Sequence, residues 1–126
     1  MFLQKLEFES AWDKTIARQD REEIERVFSE LHSEEHEKQQ TVILKTAYNH
    51  REEFLVTVLV NNYSKEPFSL IGKKVLYTEE EHTMGEMDSR YTLEVPPETS
   101  MPWTFIFSTA SLRRQPSREY GKLFIM

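Results

Sequence analysis

The chain has 126 residues, a net charge of −6 and a pI near 5.3, with 38% hydrophobic and 12% aromatic residues against 30% charged. That length and apolar content suit one buried core, while the acidic balance gives no electrostatic footprint for nucleic acid and opposes adsorption to an anionic membrane face. Cysteine is absent and the three glycines, Gly72, Gly85 and Gly121, are isolated; disulfides, thiolate metal centres, a cysteine nucleophile and a glycine-rich phosphate loop are thereby excluded.

From the start of the chain, Glu7, Glu9 and Asp13 interrupt the stretch where a signal peptide would need an apolar core, and no apolar run reaches the length of a membrane span. A cytoplasmic protein without membrane insertion is expected. Next, Ile24, Val27, Phe28 and Leu31 recur at i, i+3, i+4 and i+7 with Glu22, Glu23, Glu25, Arg26 and Glu30 mostly opposite, the pattern of an amphipathic helix. Asp20 followed by Glu23 reads as a capping box, which sets the helix at about residues 20–32. Ser33 to Gln40 reads as a solvated connector.

At Thr41 the period changes to two, and β-branched and aromatic residues dominate. Strands are predicted at Thr41–Tyr48, Phe54–Val60, Phe68–Tyr77, Met84–Met87, Tyr91–Val95 and Trp103–Phe107, with turns at Asn49–Glu52 and Asn61–Pro67 and a break at Pro96-Pro97. Phe54–Val60 is apolar on both faces, as a central strand should be. Lys122 to Met126 reads as an edge strand or a partner-binding tail. Short strands at this spacing predict one mostly β domain over residues 1–126: an immunoglobulin-like antiparallel β-sandwich, at about 41–126, carrying one N-terminal amphipathic helix. The acidic stretch from Asp20 to Glu37 and the basic one from Arg113 to Lys122 are expected to attract each other.

Chemistry-bearing motifs are few. His32-Ser33-Glu34-Glu35-His36 is a literal H-x-x-E-H, and two histidines four apart on a helix can chelate a metal with a glutamate as base. It defines the alternative reading, a small metal-dependent enzyme or ligand-binding protein centred on His32 and His36. Its position, at a helix end entering a Glu/Gln connector, favours solvated histidines, so no metal, cofactor or catalytic residue is expected. Asn62-Tyr63-Ser64 has the form of a glycosylation sequon and reads better as part of a turn. Trp103 begins an aromatic alternation that should face the core. Trp12, Asp13, Asp20 and Arg21 are the candidate partner-binding residues. Trp12 and Asp13 precede the helix, and Arg21 places a cation where a helix N-terminus disfavours one, unless it pairs with Glu25.

Ser10-Ala11-Trp12-Asp13-Lys14-Thr15-Ile16 with Gln19-Asp20-Arg21, Phe54 to Asn62, and Val95-Pro96-Pro97 through Met101-Pro102-Trp103 to Phe107 together resemble the SLAP-type domain of Gram-positive bacteria. The resemblance covers about residues 6 to 112, and the proline-tryptophan segment is its most specific part. That domain is duplicated in the S-layer assembly protein of the accessory Sec system and stands alone in small proteins. The resemblance implies a non-catalytic interaction module whose partner is another protein, of the secretion or envelope machinery. Homo-oligomers through a sheet edge are a further expectation.

Overall fold

The computed structural model describes residues 4–31, 39–117 and 121–126. Within them the order is β1 (Lys5–Leu6), α1 (Ser10–Thr15), α2 (Arg18–Leu31), β2 (Thr41–Tyr48), β3 (Phe54–Asn62), β4 (Phe68–Ser69), β5 (Lys74–Glu79), β6 (His82–Asp88), β7 (Glu94–Val95), β8 (Thr99–Phe107) and β9 (Gly121–Ile125). The protein is mostly β, as the alternation predicts. A four-stranded sheet has the order β1-β8-β3-β2, a three-stranded sheet the order β6-β5-β9, and β4 pairs with β7. Pairing is antiparallel except at β1, which runs parallel to β8. A two-residue strand is too short for its pattern to announce that exception.

β3 is central, flanked by β2 and β8. Its core-facing residues Phe54, Val56, Val58 and Val60 form one buried cluster with Phe105 and Phe107 of β8, Val75 and Tyr77 of β5, and Leu123 and Ile125 of β9. Each such side chain contributes roughly 1.5–3 kcal/mol of transfer free energy on burial. β9 lies at an edge of the three-stranded sheet, the place expected for the C-terminal strand.

Several boundaries move. Asn61 and Asn62 belong to β3 rather than to a turn, because Asn61 and Asn62 continue the register against Ser100 and Thr99. β8 correspondingly begins at Thr99, four residues before Trp103. The predicted strand from Phe68 to Tyr77 is cut between β4 and β5 by a turn in which Gly72 adopts φ +73°, a conformation open to glycine at little steric cost. Of Tyr91–Val95 only Glu94 and Val95 pair.

α2 starts at Arg18, where the Ala17 carbonyl accepts the Arg21 N–H, so Asp20 lies inside the first turn instead of capping the helix. An acid there still complements the positive end of the helix dipole. α1 has no counterpart in the predicted elements. At six residues it spans under two turns, too few to show a 3.6-residue period, and it is capped by the Glu9 side chain, which accepts the Ala11 N–H. The basic tail does not reach α2 among the described ion pairs: Arg113 bonds Glu86 of β6 at 2.5 Å.

Candidate functional site

Alternation along β3 sets Thr57 and Leu59 on the face opposite the core valines. Both are nonetheless buried, at 5% and 0% exposure. α1 and α2 lie over this outer face: Ile24 is 5% exposed, and Val27, Phe28 and Leu31 are half-buried. The roof is incomplete. Between the helices and the sheet lies a cleft of about 380 Å³, bounded by Trp12, the Thr15–Ala17 connection, Asp20, Glu23 and Ile24 above, and by Leu44, Lys45, Thr57 and Thr104 below. Its volume falls within the range of ligand pockets.

The floor is built from a cross-strand pair. Thr57 and Thr104 are partners in the β3–β8 register, and their hydroxyl oxygens are 2.8 Å apart, one donating to the other. Lys45 enters the cleft through a bulge. Ile43 pairs with Val58, but the next partner of β2 is Lys45 against Thr57, leaving Leu44 as the inserted residue. Without that insertion Lys45 would oppose a core position; with it, the lysine sits on the helix-covered face. The regular alternation read across Thr41–Tyr48 stops at that residue.

The structure divides the four sequence-predicted residues into two pairs. Trp12 and Asp20 border the cleft. Trp12 also stacks on Trp103, with ring centroids 6.4 Å apart and planes at 22°, so the half-buried Trp103 holds α1 against β8. Tyr91 meets Trp103 edge-on at 5.5 Å. Trp103 is therefore not the fully buried residue the pattern predicts, and its buried indole Nε1 has no hydrogen-bond partner among the described residues.

Asp13 and Arg21 instead make a brace. Arg21 donates to the Asp13 carboxylate at 2.6 Å and to its backbone carbonyl at 3.1 Å, and its guanidinium lies 4.4 Å from the Phe8 ring centre. The partner of Arg21 is thus Asp13 on α1, not Glu25 on the next turn. A bifurcated contact of this kind fixes one helix against the other.

The other arginines of α2 are also engaged. Arg18 pairs with Glu22 at 3.0 Å, and Arg26 pairs with Glu30 at 2.7 Å and with Glu23. The hydrogen bond from Arg26, with its charge, holds the Glu23 carboxyl below the ordinary carboxylate range. Asp20 and Lys45 have no ion-pair partner among the described residues. The sequence signals Trp12 and Asp20, whereas Lys45, Thr57 and Thr104 come from the bulge and from strand register, neither of which leaves a local mark.

His32 and His36 lie outside the described residues. Among the described residues no group of three or more His, Asp or Glu side chains is set to hold a metal ion, and no helix is long and apolar enough to cross a membrane.

Fold and cleft together define a β-rich protein with a helix-roofed groove on the outer face of its larger sheet. The chain belongs to the SLAP domain family, whose model matches residues 6–121. No curated protein and no solved structure gives a significant match.

Proposed function

We propose that this chain is a non-catalytic protein-interaction module, an accessory factor in surface-protein export or cell-envelope assembly, built as one immunoglobulin-like sandwich domain with its N-terminal helices over one face. Membership of the SLAP domain family supports the setting. The observation that carries the reading is the cleft: an apolar wall of Trp12, Ile16 and Ile24 faces a hydroxyl floor beside two charges, Asp20 and Lys45, that have no ion-pair partner among the described residues. Such a combination of aromatic anchor, apolar wall and a few polar groups is what polypeptide recognition requires.

The test is affinity capture from a lysate of the source organism with the full chain and with the Trp12→Ala variant, after thermal melts have established that the variant folds. The parent retains a specific protein of the secretion or envelope machinery, and the variant loses it. Equal retention by a folded variant would remove the cleft as the recognition site.

A further inference from the structure

Resting on that reading, we propose that the cleft recognises a partner polypeptide with an apolar side chain between a basic residue and an acidic one. The apolar residue sits against Trp12, Ile16 and Ile24, the basic residue pairs with Asp20, and the acidic residue with Lys45.

Charge complementarity carries the assignment. Each arginine of α2 is already committed to a carboxylate: Arg18 to Glu22, Arg21 to Asp13, and Arg26 to Glu23 and Glu30. Glu23, although it borders the cleft, is held by Arg26. The two charges at the cleft that remain unpaired among the described residues are opposite in sign and come from opposite walls, Asp20 from α2 and Lys45 from β2. Lys45 owes its place to a one-residue bulge, a local departure from regular pairing that re-aims a side chain. Both side chains are exposed, so a ligand with a single charge would pair with one wall and leave the other charge to solvent. A segment with both charges and an apolar centre satisfies both walls, and such charge pairs determine which sequences are accepted.

The experiment is selection of a random dodecapeptide library displayed on phage against the immobilised full chain, repeated with Asp20→Lys and with Lys45→Glu, each first shown to melt like the parent. The parent enriches peptides with a basic and an acidic residue flanking an apolar one. Asp20→Lys replaces the basic preference by an acidic one, Lys45→Glu replaces the acidic by a basic one, and a synthetic parent-selected peptide binds Asp20→Asn roughly tenfold more weakly than the parent. Rescue of the Asp20→Lys protein by the charge-swapped peptide shows that the variant site is intact. The proposal is overturned if the parent enriches nothing, as it would for a small-molecule cleft, or if the preferences survive the charge reversals. Should capture still depend on Trp12 in that event, the interaction reading stands and only this ligand assignment fails.

Discussion

Replacing Asn62 by Asp changes one atom type at a corner where several strands meet. Asn62 is 6% exposed. Its Nδ2 faces three carbonyls, those of Glu66 at 2.8 Å, Val95 at 3.0 Å and Pro96 at 3.1 Å, while its Oδ1 accepts from the Ser64 N–H at 3.1 Å and the Ser64 hydroxyl at 2.8 Å. One amide thereby ties the end of β3 to β7 and to the following loop. An aspartate keeps the Ser64 contacts and turns an acceptor toward the carbonyls. The loss is about two hydrogen bonds at ~1 kcal/mol each, plus ~1–3 kcal/mol for carbonyls left dry, so the cost at neutral pH is about 3–5 kcal/mol. For a domain this size that corresponds to a fall in Tm of roughly 10–20 °C.

The penalty depends on pH. The facing carbonyls raise the introduced carboxyl's folded-state pKa above its unfolded value of about 3.9, so the folded state holds the proton more tightly. Relative to the parent, stability falls as pH rises from about 4 through the raised folded pKa, and is constant above it. Urea unfolding of parent and Asn62→Asp, followed by tryptophan fluorescence between pH 3.5 and 8, measures the difference directly. A penalty under about 1 kcal/mol at pH 7, or one that does not shrink in acid, would refute the assignment of Asn62 as the donor at this corner.

The Trp12 and Trp103 rings should couple: a double-mutant cycle of Trp12→Ala and Trp103→Ala, read by denaturant unfolding, is expected to give an interaction of about 0.5–1.5 kcal/mol. Because Trp103 is half-buried, its single substitution should cost about 2–3 kcal/mol, below the ~3–5 kcal/mol of a fully buried tryptophan. Additive single effects would show that the stacking does not hold α1. Gly121→Ala places its Cβ 2.8 Å from Cε1 and Cζ of Tyr77 and closer still to the Tyr77 oxygen. The ring is fully buried and its hydroxyl donates to Glu79 at 2.7 Å, so it has little room to yield. A destabilisation of about 1–3 kcal/mol is expected, and an unchanged melt would show that β9 shifts freely on β5.

Asn62 shows how far the sequence reached. The sequence places Asn62-Tyr63-Ser64 in a turn, whereas Asn62 ends β3 and its three carbonyl partners, in the next loop, in β7 and just after it, lie 4 to 34 residues away. The same division holds across the molecule. A strand or helix that buries one face writes its period into neighbouring residues, so the mostly β character, the central place of β3 and the inward stripe of α2 could be read from the chain, as could the family resemblance from three segments. Trp12 and Asp20 stood out, with Asp13 and Arg21, by their place around the start of the predicted helix. Tertiary structure alone decided that Arg21 pairs with Asp13, that Trp103 supports Trp12, and that a bulge at Leu44 turns Lys45 toward Thr57. Those outcomes depend on which elements meet and in what register, and register is a relation between distant segments that the spacing within either one does not specify.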